Sequence, residues 1–177
     1  MNKSLMLILI ALVFSCKTPE ARKPISVKTG SFIDESVERN KKLNAKEQAS
    51  IENLLKKQKK DYLASESGFW YYYNTKNEID TLITPDFGDI VNYNYNVKSL
   101  KGKLIYSKAE LKTQNYTMDK EELFTGLREG LKLMKTGETV TFLFPSQKAY
   151  GCYGDENRIG SNIPLNCEVT LNSITQN

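Results

Sequence analysis

Histidine does not occur anywhere in the 177 residues. Its absence excludes Ser/His/Asp hydrolysis, Cys/His nucleophilic catalysis, imidazole-ligated zinc or haem, and any proton shuttle titrating near neutrality. Glycine and proline are scarce, at 10 and 5 residues, beside 40% hydrophobic and 26% charged residues. That balance excludes collagen-like and low-complexity chains. Long apolar runs are also lacking. The exception, Leu5 to Phe14, spans roughly 15 Å as a helix, half of a bilayer core, so a polytopic membrane protein is excluded too. What remains is one domain of about 100 to 150 residues with additional segments.

The apolar run follows Lys3 and stops at Val13-Phe14-Ser15-Cys16. Its length suits a signal peptide over residues 1–15 better than a membrane span. A small residue directly before a cysteine resembles the lipobox of bacterial lipoproteins, which implies that Cys16 is lipidated and becomes the new N-terminus. A buried N-terminal helix or an ordinarily cleaved signal are the alternatives. Polar residues begin at once after Cys16, which favours the lipid. Acyl chains contribute about 0.8 kcal/mol per buried CH₂, so several on one cysteine hold a protein at a membrane surface without spanning it.

Charge is unevenly spread. Lys17 to Glu66 carries 12 Lys/Arg against 8 Asp/Glu, a balance of +4, whereas Gly68 to Asn177 carries 12 against 13, a balance of −1. The basic excess therefore belongs to the leading segment. Lys56, Lys57, Lys59 and Lys60 read as a solvated helix face or a weak contact with anionic lipid, and no nucleic-acid partner is expected.

Residues 16–33, with Pro19, Pro24 and Gly30 and no period, read as a flexible tether. Asp34 to about Leu63 is rich in Glu, Lys, Gln, Ala and Leu, with Ile51, Leu54, Leu55 and Tyr62 at helical spacing, which predicts a long helix within a helical segment over 34–67. Its apolar stripe is thin before Ile51, so packing on the domain, or pairing in a homodimer, is expected of the later half. From Gly68 the pattern becomes that of strands. Phe69 to Tyr73 is a run of five aromatics, and Val91, Tyr93, Tyr95 and Val97 alternate with Asn92, Asn94 and Asn96, the pattern of a half-buried antiparallel strand. Asp119 and Glu122 suggest a helix start, Leu123, Phe124, Leu127, Leu131 and Met134 share one helical face, and Gly137 ends it. Gly126 and Gly130 inside that helix make sense if its face approaches a sheet closely. Val140, Phe142 and Phe144 form a further strand closed by Pro145, and Val169 with Leu171 a last one. The sum is an α+β domain over 68–177, preceded by a long helix.

Four segments in register resemble an FKBP-type peptidyl-prolyl isomerase: Gly88-Asp89-Ile90-Val91 leading to Tyr95; Leu123 through Glu138; Pro145 to Ala149-Tyr150-Gly151; and Ile163-Pro164 before the final strand. The signal peptide, lipobox and helical extension also look like the gliding-motility-associated FKBP-like lipoproteins. The resemblance implies an antiparallel sheet wrapped around one short helix, with an apolar pocket that accepts a proline ring. Carried over by position, the catalytic residues are Tyr150, Phe124, Leu127 and Tyr95, and the substrate-binding residues Ile105, Tyr106, Tyr116, Leu123, Ile163 and Leu171. Read without the family, each apolar member is ordinary core, and Tyr150 alone stands out, in a loop setting where a hydroxyl can project into a cleft.

This chemistry suits a chain without histidine. Rotation about an X-Pro bond has a barrier of about 18–20 kcal/mol because resonance stiffens the C–N bond. The planar imide is more polar than its twisted transition state, so a dry apolar pocket favours the twisted form with no acid, base, metal or cofactor. The family pattern gives the Phe124 backbone N–H and the Tyr150 hydroxyl the task of holding peptide carbonyls. Two departures are visible. Ile105-Tyr106 stands where the family has Phe-Asp, which removes a pocket-edge carboxylate, and Leu127 stands where the pocket floor is commonly Trp, which predicts a wider base. The loop from Gly151 to Ile163 is longer than in the smallest members and is a candidate for setting the residues preferred beside proline.

Cys152 and Cys167 form a poor metal site without histidine, and no metal is expected. In an exported chain the sequence favours a disulfide between them over two free thiols. The function expected is that of a membrane-anchored isomerase, an outer-membrane lipoprotein facing the periplasm, acting on proline-containing segments of exported or surface proteins. The alternatives are a non-catalytic chaperone with the same cleft, and a structural component of a motility or secretion machine using the long helix and the Phe69 to Tyr73 segment.

Overall fold

The structure, a computed structural model, describes residues 29–79 and 82–177. The apolar run, Cys16 and most of the tether lie outside the described residues. Among the described residues no helix is long and apolar enough to cross a membrane.

The first element is helix α1, Thr29–Lys57. It starts earlier than Asp34, because no proline follows Pro24 to interrupt it, and so takes in residues 29–33 that the sequence assigned to the tether. It also ends earlier than Leu63. Leu63–Ala64 instead forms a short strand, β1, paired with Trp70 and Tyr71 of β2, Trp70–Thr75, and Gly68 turns the chain between them at φ +80°. Tyr62 packs edge-on against Tyr72 with ring centroids 4.7 Å apart. Aromatic pairing across the hairpin thus overrides the helix propensity of residues 58–64.

The sheet continues with β3 (Ile90–Ser99), β4 (Leu104–Tyr106), β5 (Gln114–Thr117), β6 (Thr139–Phe144) and β7 (Leu165–Thr175). Its order is β1-β2-β6-β7-β3-β4, all antiparallel, with β5 also paired to β3. β5 takes Ile90 to Tyr93 and β4 takes Val97 and Lys98, so the two short strands share one edge of the ten-residue β3. Between them lies a single turn of helix, α2, Lys108–Leu111, closed by a capping box of Ser107 and Glu110.

The alternation read from the sequence is what the sheet uses. Val91, Tyr93, Tyr95 and Val97 are buried, and Asn92 and Asn94 lie on the other face, bonded by Asn115, Thr113 and Asn172. Phe142 and Phe144 stack at 5.4 Å, and Phe69 meets both edge-on. Across this face runs α3, Thr125–Leu131, which buries Gly126, Leu127, Gly130 and Leu131.

α3 is shorter than predicted. Asp119 does not cap it: Asp119 has φ +59° and its carboxylate pairs with Lys132 at 3.0 Å and Arg128 at 3.4 Å. Glu121, next to the expected Glu122, ties this segment back to β5, accepting from the Thr117 N–H and hydroxyl at 3.2 and 2.9 Å. The bonds that would have started a helix at Asp119 are made to β5 and to later turns instead. At the far end Gly137 sits in a turn at φ +86°, where its N–H donates to Leu171 O at 2.8 Å. Glycine tolerates that backbone without strain.

The later half of α1 is packed, as expected. Ile51 is fully buried, and the buried Glu47 carboxylate accepts from the Ser146 N–H at 2.8 Å and its hydroxyl at 2.7 Å. Those bonds tie α1 to the end of β6. Phe32 and Ile33, nearer its start, are exposed.

Candidate active site

The candidate residues come from five places. β3 brings Tyr95, β4 brings Ile105 and Tyr106, β5 brings Tyr116, the segment entering α3 brings Leu123 and Phe124, and the chain after β6 brings Tyr150. A single helical turn over Ser146–Lys148 follows Pro145 and aims the chain at Tyr150. The Phe124 and Tyr150 rings pack at 5.2 Å, and Phe124 meets Phe144 edge-on at 5.5 Å. Beside them is an open cleft of about 510 Å³ lined by Glu121, Glu122, Leu123, Phe124, Arg128 and Tyr150.

Two of its lining residues carry donors without partners. Among the described residues neither the Phe124 N–H nor the Tyr150 hydroxyl makes a hydrogen bond, although the Phe124 carbonyl accepts from Leu127 and Arg128. Burial, then the neighbouring Tyr95 and Cys167, push the Tyr150 phenol above its ordinary value. It is therefore a neutral donor at any physiological pH. Tyr116 is not free in this way: its hydroxyl donates to Glu121 O at 3.2 Å and accepts from Asp119 N–H at 3.3 Å, so it props the turn before α3.

Of the expected site residues, Leu123, Phe124 and Tyr150 line the cleft, whereas Tyr95, Ile105, Tyr106 and Tyr116 are not among its lining residues. Three more also sit differently from the sequence reading. Leu127 is fully buried and exposes nothing to the cleft, so it does not form a wide open base. Leu171 is also fully buried, opposite Tyr93, with its backbone tied to Gly137 and Glu138, and it serves the core. Ile163 is 37% exposed and lines a second, larger groove of about 740 Å³ with Leu54, Leu100 and Pro164. That groove holds neither Tyr150 nor Phe124, so we assign the chemistry to the smaller cleft.

Cys152 and Cys167 are not joined. Cys152 is exposed in the loop, whereas Cys167 is fully buried, opposite Val97 on one side and Phe142 on the other. The thiol of Cys167 points into the core and the loop runs outside it, which corrects the expected disulfide. Cys167 has another role, as the residue of β7 near both Tyr95 and Tyr150. Sequence reasoning missed it there, although counting back by twos from Leu171 and Val169 puts Cys167 on the same face.

The Tyr95 phenol is pushed up to about 12, first by burial and then by Cys167. An unfolded tyrosine titrates near 10. Sign follows from linkage: the folded state holds the proton more tightly, so the stability involved is complete below pH 10 and is lost as pH rises from 10 to 12. The expected loss from Tyr95 is about 2–3 kcal/mol. Urea unfolding at pH 9 and pH 12 measures it, and the drop should be smaller in Tyr95→Phe.

An antiparallel sheet packed on one short helix thus carries a cleft where the Phe124 and Tyr150 rings meet and where two hydrogen-bond donors are free to hold a peptide. Residues 83–172 match the family model of the FKBP-type peptidyl-prolyl cis-trans isomerase. The chain belongs to that family and is a peptidyl-prolyl cis-trans isomerase. Two solved structures are similar in fold. One is a peptidyl-prolyl cis-trans isomerase from Pseudomonas syringae pv. tomato, with TM-score 0.62 and 23% identity over 77% of this chain and 96% of that one. The other is FkpA from Escherichia coli, with TM-score 0.61 and 22% identity over 99% of this chain and 83% of that one.

Proposed function

We propose that this isomerase works at a membrane surface, lipidated at Cys16 and facing the periplasm, on proline-containing segments of exported or cell-surface proteins, including those of a gliding machinery. The observation that carries its catalytic side is the pair of unpartnered donors, Phe124 N–H and Tyr150 hydroxyl, at an aromatic cleft. They hold the peptide carbonyls while the Leu123 side chain and the Phe124 and Tyr150 rings favour the less polar, twisted imide. The anchor rests on the Leu5 to Phe14 run ending in Ser15-Cys16, and on the basic excess confined to the leading segment.

A protease-coupled assay on Ala-Xaa-Pro-Phe peptides tests the site. Tyr150→Phe keeps the ring and removes one neutral hydrogen bond, so the rate should fall about two- to twelvefold, equivalent to about 0.5–1.5 kcal/mol, with little loss of stability. An unchanged rate would remove Tyr150 from the mechanism. Binding of these peptides without turnover by the wild type would favour the non-catalytic chaperone.

The anchor has its own test. Palmitate labelling in cells should mark the wild type and miss Cys16→Ala. Label retained in Cys16→Ala would refute the lipid assignment.

A further inference from the structure

The loop between Tyr150 and Ile163 is tied down at several points. The Tyr106 hydroxyl, on β4, donates to Asp155 Oδ2. The other carboxylate oxygen accepts from the Ile159 N–H at 2.7 Å and the Asn157 N–H at 3.0 Å. Arg158 lies over the Tyr106 ring, 4.1 Å from its centroid, and donates to Ile105 O at 2.8 Å and Glu110 at 2.9 Å. Ile159 is buried beneath. The Gly154 N–H, next to Asp155, donates to the carbonyl of Tyr150 at 3.2 Å. A continuous set of bonds thus runs from β4 through Tyr106, Asp155 and Gly154 to the backbone of Tyr150.

We propose that Tyr106 and Asp155 are positioning residues for the isomerase reaction, which hold Tyr150 so that its hydroxyl is already oriented when a proline peptide arrives. This rests on the isomerase reading of the cleft and adds residues that do not touch the peptide. A donor on a free loop would lose motion on binding, whereas one on a braced loop has little left to lose. Asp155 is suited to the task. Burial alone would raise its carboxyl, but the Tyr106 hydroxyl and the loop N–H groups outweigh that and hold it below the usual range. The brace is therefore a charge-assisted bond, stronger than a neutral one. Arg158 keeps the Tyr106 ring in place by stacking on it, so removing the hydroxyl alone leaves the rest of the contact intact.

The test is a double-mutant cycle on the full chain, read by kcat/KM in the protease-coupled assay. Tyr106→Phe and Asp155→Asn should each lower kcat/KM by about two- to tenfold. In a Tyr150→Phe background neither should lower it further, because the hydroxyl they orient is gone. A purely structural role would give the same loss in both backgrounds, and that result overturns the proposal, as does an unchanged kcat/KM in the single variants. Amide hydrogen exchange provides a readout independent of turnover: the Gly154 N–H should exchange several-fold faster in Tyr106→Phe than in wild type. Equal exchange overturns the brace even if the wild type proves inactive, so failure of the isomerase reading and failure of this inference remain distinguishable.

Discussion

Leu127→Asp is expected to abolish the cooperative unfolding of the domain. Leu127 is fully buried in the main core, on the face of α3 that meets the sheet. Its loss removes an apolar contribution of about 2–5 kcal/mol, as for Leu→Ala in a closed core. The carboxylate that replaces it must be buried without a partner or draw water in, at a further cost of several kcal/mol. Domains of this size are stable by about 5–15 kcal/mol, so the sum is enough to unfold the chain. Far-ultraviolet circular dichroism during urea titration should show no sigmoidal transition. A transition within about 1 kcal/mol of wild type would mean that Leu127 is not enclosed as described. Because this variant tests the core, the cleft itself is better tested through Tyr150, whose hydroxyl is free.

The second large effect is expected from Gly126→Ala. A Cβ built there lies 2.5 Å from Phe144 Cδ1 and 2.7 Å from the backbone oxygen of Lys148. Alanine gains at most about 1 kcal/mol of helix propensity over glycine. Against that stands overpacking of about 1–3 kcal/mol or more, and a backbone oxygen cannot step aside as a side chain can. The clash should win, with a net loss of about 2 kcal/mol by urea denaturation. Activity should fall further than stability explains, because Lys148 lies two residues before Tyr150 and Gly126 two after Phe124, so any shift separates the two donors. Misplacement by about 1 Å can reduce a rate by as much as 10²-fold. Gly130→Ala is the control: the nearest atoms to its Cβ belong to the Phe142 ring, at 2.9 Å, a side chain that can shift, and it should be milder. Equal stability of wild type and Gly126→Ala would show that α3 does not approach the sheet so closely.

Period and composition carried much of the architecture. The two-residue alternation is maintained because Val91, Tyr93, Tyr95 and Val97 are all buried on one face of β3, and a slip by one residue would turn the asparagines inward. Gly126 and Gly130 announced a close approach before any contact was known, since glycine is otherwise costly in a helix. Phe124 and Tyr150 were legible chiefly through the order of four motifs, and they converge because the segment entering α3 packs its ring against the chain after β6.

Other features had no local signal. Whether Leu63 continues a helix or starts a strand depended on Trp70 and Tyr71, which local propensity cannot see. Asp119 and Glu122 have the right chemistry for a helix start, but the partners that claim Asp119, Lys132 and Arg128, lie outside that turn. Cys152 and Cys167 were paired by compartment and count, whereas their separation across the wall of the core is a property of the assembled sheet. Tyr106, read as a lost carboxylate, is bonded to Asp155 from a loop 49 positions away in sequence. The sequence by itself thus determined which faces are apolar, where the chain turns and which chemistry is absent, because these follow from side-chain type and short spacing. Only the tertiary structure decided which polar groups meet, because each of those bonds joins segments that the chain brings together only after the core has closed.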